Sequence, residues 1–150
     1  MRVLIQRASE ASVKISGKIH GEINRGLVVL LGIETEDTQD DIQWLVRKLI
    51  ALRIFSDEDG KMNDSIADVN GEFLVISQFT LHASTKKGNR PSYIKAARPE
   101  VAIPLYEEFI RILRKESNLK VETGEFGADM KVQLINDGPV TIWMDSKNRE

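Results

Sequence analysis

The sequence predicts a single α/β domain, residues 1–150, built on a mixed or antiparallel sheet with two main helices. Three observations carry that expectation. The chain has 150 residues, the length of one domain. Its apolar pattern reads strands, helix, strands, helix, strands. No repeat, linker or low-complexity stretch interrupts it.

The first third reads as strands. Met1 to Ala8 is apolar and β-branched, and Ala11 to Ile15 alternates with period two. Ser16-Gly17-Lys18 marks a turn, and Ile19 to Ile23 follows as a partner strand. Leu27 to Ile33 is a continuous apolar run, as expected of a strand covered on both faces. Thr35, Asp37 and Thr38 are candidate caps for a first helix, in which Ile42, Leu45, Val46, Leu49 and Ile50 recur at helical spacing. Leu52 to Phe55 reads as a strand and Asp57 to Gly60 as a loop. Phe73 to Ser77 reads as a strong strand and Ser84 to Arg90 as a basic loop. A second amphipathic helix is expected from about Pro99 to Ser117, with Pro104 tolerable only near the first turn. Lys120 to Glu122, Met130 to Ile135 and Thr141 to Met144 complete the strands. Residues 146–150 read as a frayed tail.

Composition narrows the function. Cysteine is absent, which removes disulfides and thiolate metal sites and suits a reducing compartment. The N-terminal residues lack the apolar core of a signal peptide, and the longest apolar run is too short to span a bilayer. A cytoplasmic protein without membrane contact is expected. The net charge of −2 argues against a general nucleic-acid coat, so any RNA contact must use a local basic patch.

The chemistry-bearing residues are few. His20 and His82 are the only histidines, and neither has a ligand-spaced carboxylate, so no metal and no cofactor is expected. Asp57-Glu58-Asp59-Gly60 resembles a calcium loop, but Lys61 stands where an oxygen ligand belongs; a turn is the simpler reading. Thr80 and His82 would share a face on a strand, which allows a hydroxyl–imidazole dyad. No carboxylate is evidently placed to orient that imidazole, and a hydroxyl at a strand end commonly serves local backbone groups. No glycine-rich phosphate loop is present.

Two short segments remain. Ser77-Gln78-Phe79-Thr80-Leu81 leaves a buried strand, where it is either an ordinary strand exit or a set of N–H groups aimed at a substrate carbonyl. Asn136-Asp137-Gly138-Pro139-Val140-Thr141 is by itself a Gly-Pro turn. Together they closely resemble the paired motifs of D-aminoacyl-tRNA deacylases. Lys87 to Ser92, Gly124 to Met130 and Arg2 to Arg7 match patterns of the same family, so the resemblance runs over essentially the whole chain.

That resemblance implies a barrel-like sheet, a homodimer with both active sites at its interface, and hydrolysis of the ester joining a D-amino acid to the terminal ribose of tRNA. It also implies clearance of glycine from mischarged tRNA. Ser77, Gln78, Phe79 and Thr80 would line the pocket of one subunit. Gly138 and Pro139, joined by a cis peptide, would enter from the other and grip the substrate amino group with main-chain carbonyls. Arg7 would steady that element, Phe126 and Met130 would sandwich the terminal adenine, and the tRNA 2′-hydroxyl would assist. Lys86, Lys87 and Arg90 are candidate phosphate contacts, with a solvated loop as the alternative. Two rivals remain: an esterase dependent on Thr80, and a nucleic-acid-binding protein without chemistry.

Overall fold

A computed structural model describes residues 1–150. The sheet begins with β1 (Arg2–Ile15), β2 (Lys18–Ile23) and β3 (Gly26–Gly32). Helix α1 (Gln39–Ala51) follows, then the short pair β4 (Phe55–Ser56) and β5 (Met62–Asp64), and β6 (Glu72–Ser77). Helix α2 (Pro99–Ser117), β7 (Val121–Thr123) and β8 (Met130–Asp145) complete the chain.

The main sheet has the order β2-β1-β3-β6-β7, with β8 added along β1. β1 pairs antiparallel with β3, β2 and β8, whereas β3–β6 and β6–β7 are parallel. The sheet is therefore mixed, and the two expected helices are present. It curls until its ends nearly meet. A Cβ on Gly21 of β2 would lie 3.0 Å from the Thr123 carbonyl of β7, and Lys120 Nζ reaches the Glu22 carbonyl at 3.0 Å. The barrel is thus nearly closed.

The apolar run of β3 is explained by this curl. Leu27, Val29 and Leu31 point into the larger core, against Ile42, Leu45, Val46 and Leu49 of α1 and Phe109 and Leu113 of α2. Val28 points the other way, into a second cluster with Val13, Ile23, Leu74 and Ile76. Both faces are buried, so neither needs polar residues. Burying each such side chain contributes about 1.5–3 kcal/mol.

Five expectations require correction. Met1–Ala8 and Ala11–Ile15 form one strand, bent where its register with β8 shifts between Gln6, Ala8 and Glu10; the shift breaks the period-two pattern without ending the strand. The two expected strands Met130–Ile135 and Thr141–Met144 likewise belong to one, β8. Leu52 to Ile54 are not strand: only Phe55 and Ser56 pair, across a turn in which Asp57 Oδ1 accepts the N–H groups of Asp59 and Lys61 at 3.0 and 2.9 Å. The fourth correction concerns Ser146, which is buried rather than frayed, and the fifth Pro104. Ser146 accepts from the Met1 amine at 3.0 Å and donates to Asp41 Oδ1 at 2.6 Å. Thr38 is the cap of α1, its N–H meeting Asp41 Oδ2 at 2.8 Å. Pro104 lies in the second turn of α2 rather than the first, and the helix continues through it.

Candidate active site

Strand β6 delivers the first segment. Ser77 pairs with Leu31, and Gln78 N–H donates to the Leu31 carbonyl at 2.7 Å. The chain then tightens into a 3₁₀ turn over Phe79–His82, directly after the continuous apolar run of β6. Such a turn leaves its first N–H groups without intrahelical partners. Those groups belong to Phe79 and Thr80.

The turn separates Thr80 from His82. Thr80 Oγ1 is hydrogen-bonded to Gln78 Nε2. His82 is buried, and neither ring nitrogen has a well-formed hydrogen bond. Glu34 Oε2 is 3.9 Å from His82 Nδ1. Burial pushes the imidazole below its ordinary pKa, against the opposing pull of the Gly32 carbonyl and the Glu34 carboxylate. The dyad that strand geometry would allow is therefore absent, because the residues are not on a strand; Thr80 instead bonds locally to Gln78, the alternative reading of its hydroxyl.

A cavity of about 340 Å³ opens beside the turn. Ser77, Gln78 and Phe79 line it on one side, Phe126 and Met130 on another. The Phe126 ring packs edge-on against Tyr106, with centroids 5.8 Å apart. Tyr106 is itself fixed through its hydroxyl, which donates to the Val75 carbonyl at 3.2 Å. Burial raises its pKa to about 12, so the hydroxyl stays protonated. Ala97 and Ala102 also line the cavity. No local motif marks them; Ala102 is carried there by the packing of α2, and Ala97, just before that helix, by its N–H bond to the Ile33 carbonyl at 2.9 Å. Asp129 is the one ionisable side chain on the cavity wall, and it is exposed and ion-paired to Lys131 at 2.7 Å.

Gly138 and Pro139 lie elsewhere. They are exposed on β8, joined by a cis peptide, and do not line this cavity. The β1–β8 ladder jumps here: Gln6 pairs with Thr141 and Ala8 with Asn136. The intervening residues 137–140 bulge outward opposite Arg7. Arg7 Nε donates to the Asp137 carbonyl at 2.9 Å, and its guanidinium also donates to the Ile54 carbonyl at 2.6 Å. Val140 N–H donates to Asn136 Oδ1 at 3.0 Å, closing the bulge from within. Gly138 has φ of +136°, and a Cβ there would sit 2.8 Å from Val140 Cγ2 and 3.1 Å from an Arg7 nitrogen. Glycine suits the position on both counts.

Lys86, Lys87 and Arg90 are exposed in a loop tied at its base by the reciprocal bonds of Ser84 and Ser92, at 2.8 and 2.9 Å. Thus one chain gathers Ser77, Gln78, Phe79, Phe126 and Met130 in a single cavity. The Gly138-Pro139 bulge and the basic loop stand outside it.

Residues 4–145 match the family model of D-Tyr-tRNA(Tyr) deacylase. The chain belongs to that family. It is 64% identical, over the full length of both chains, to a protein of Flavobacterium johnsoniae named D-aminoacyl-tRNA deacylase. Among solved structures, the deacylase fold recurs with a TM-score of 0.91 in a chain named c-Myc DNA Unwinding Element Binding Protein. That chain is 43% identical, with 97% of this chain and 98% of that one covered. A "probable eukaryotic D-amino acid tRNA deacylase" shares the fold with a TM-score of 0.82 at 17% identity, covering 95% of this chain and 97% of that one. No helix of the deacylase is long and apolar enough to cross a membrane.

Proposed function

We propose that this deacylase polices the chirality of aminoacyl-tRNA as a homodimer, each subunit completing the other's site. The chain is a D-aminoacyl-tRNA deacylase, a hydrolase that acts on the ester of aminoacyl-tRNA. The finer reading concerns how. One observation carries it: an outward Gly138-Pro139 bulge, braced by Arg7, stands apart from a cavity whose only carboxylate, Asp129, is already paired with Lys131. β8 also exposes Ile135 and Trp143, apolar area that a second copy would cover.

In this arrangement Gly138 and Pro139 of one subunit enter the cavity of the other. Their carbonyls hold the substrate amino group and occupy the space an L side chain would need. A wall of main chain cannot yield by changing rotamer. Glycine, with no side chain to reject, is also released from tRNA. The N–H groups of Phe79 and Thr80 receive the developing oxyanion. Ser77 and Gln78 shape that end of the pocket, and Phe126 and Met130 sandwich the terminal adenine. An aminoacyl ester is already activated, so positioning, oxyanion stabilisation and the tRNA 2′-hydroxyl replace a protein base. Lys86, Lys87 and Arg90 meet phosphates near the acceptor end.

Comparing release from D- and L-tyrosyl-tRNA tests this directly: release of the D form alone is expected. A second reading, nucleic-acid binding without chemistry, draws on the likeness to the DNA-unwinding-element binding protein. Retained tRNA binding with no turnover of either substrate is the outcome that would favour it.

A further inference from the structure

We propose that the face of α2 beside Phe126 carries the sugar–phosphate backbone of the nucleotides preceding the terminal adenosine. The inference rests on the reading above for the placement of that adenosine, and it assigns a second, larger cleft. This cleft encloses about 660 Å³ between α2 and β7. Phe126 lines it and also lines the smaller cavity beside Ser77–Phe79. An adenine held between Phe126 and Met130 therefore has the cleft directly behind one of its two supports. A strand leaving that adenine has an adjoining concavity ready to receive it.

The cleft has the charge such a strand requires. Arg111, Arg114 and Lys115 line it, spaced so that all three lie on one face of the helix. Their environments differ. Arg111 is held by Glu108 through two hydrogen bonds of 2.6 and 2.7 Å. Arg114 is pinned to the Val121 carbonyl at 3.0 Å, which fixes a guanidinium at the cleft wall. Lys115 is exposed and makes no hydrogen bond or ion pair within the chain. Glu107 is the only acidic residue lining the cleft. Arg114 and Lys115, in the last turn of α2, also offset the helix dipole. That accounts for their presence on α2, but not for their gathering around a cleft that shares Phe126 with the candidate active site. A basic groove beside aromatic stacking groups is the common means of holding single-stranded nucleic acid without reading its sequence. The loop carrying Lys86, Lys87 and Arg90 projects into solvent and lines neither cavity.

The test uses the purified full-length protein and uncharged tRNA, with binding followed by fluorescence anisotropy over a series of salt concentrations. Lys115→Glu should weaken binding by about tenfold and reduce the salt slope by roughly 0.7 for each phosphate no longer neutralised. Glu107→Lys should tighten binding severalfold, a gain that misfolding cannot produce. Both variants should hydrolyse 3′-D-tyrosyl-adenosine, which lacks the preceding phosphates, at the unaltered rate. Unchanged tRNA binding in both variants would overturn the proposal. So would equal losses on tRNA and on the adenosine ester, or weakening confined to a Lys86→Glu/Lys87→Glu variant, which would put the track on the loop. Failure of the unmodified protein to release D-tyrosine from tRNA would instead refute the deacylase mechanism, while the binding comparison would still decide the track.

Discussion

Arg7 Nε lies 2.9 Å from the main-chain carbonyl of Asp137, the residue that immediately precedes Gly138. The same guanidinium reaches the Ile54 carbonyl, so one buried cation ties the β8 bulge to the segment after α1. Replacing it with lysine keeps the charge but loses the planar fork that serves two carbonyls at once. Arg7→Lys should lower kcat/KM on D-tyrosyl-tRNA by roughly tenfold or more, as expected for a small misplacement of a positioning element. It should also destabilise the fold by about 1.5–3 kcal/mol, typical of a lost charged hydrogen bond. Steady-state kinetics and urea unfolding check the two effects separately. Full activity in a variant of reduced stability would detach Arg7 from catalysis.

Thr80→Ala distinguishes backbone from side-chain chemistry. Alanine keeps the N–H and loses only the hydroxyl bond to Gln78, worth about 0.5–1.5 kcal/mol, or roughly tenfold at most. Removing a covalent nucleophile costs several orders of magnitude. The variant should therefore stay active on D-aminoacyl-tRNA, whereas substrate ending in 2′-deoxyadenosine should be nearly inert. A dead Thr80→Ala enzyme beside a well-cleaved deoxy substrate would restore the esterase reading.

Activity should belong to the dimer. Because Gly138 and Pro139 do not line the cavity of their own chain, a folded monomer would lack them in its site. Substitutions on the exposed face of β8, such as Trp143→Glu, that yield a folded monomer in analytical ultracentrifugation should abolish turnover. A monomer with the turnover of the parent protein would end the cross-subunit model.

Acid should act on the cluster behind α1. Burial tends to raise the Asp41 pKa, but hydrogen bonds from Ser146, the Thr38 N–H and Lys147 outweigh it and hold the carboxyl at about 2. An unfolded aspartate titrates near 3.9. The group's contribution is thus fully present above about pH 4 and is lost as pH falls from about 4 toward 2. Asp41→Asn should lower stability at neutral pH and flatten the acid limb of a stability–pH curve measured by denaturant titration. An unchanged acid limb would remove Asp41 from the account.

The sequence announced the parts of this protein governed by periodicity. The apolar run of β3, the spacing of Ile42, Leu45, Val46 and Leu49, and the two helices all follow from faces that must be buried. What it hid was governed by departures from periodicity. The register shifts at Ala8 and Glu10 look like a strand break, because alternation fails there. The tightening at Phe79 is set by the exit from β6, and Thr80 and His82 part company as a result. Ser146 carries no local sign of burial, since its partners, the Met1 amine and Asp41, are distant in the chain. The motifs Ser77–Leu81 and Asn136–Thr141 were legible as segments. Ala97, Ala102 and the cleft along α2 were not, because each depends on which elements pack together.

The pairing of Arg2 with Asp145 bears on how the protein is made. β1 precedes every other strand of this sheet in the chain, yet along one whole edge its only partner is β8, the strand that follows all the others. β3 can zip onto the first half of β1 early, but the other edge waits with unpaired N–H and C=O groups until nearly the entire chain is available. Pairings of such long sequence separation form slowly, and an unpaired edge invites association with other chains in the meantime. Truncation at β8 would therefore leave a sticky, half-built sheet rather than a smaller stable domain.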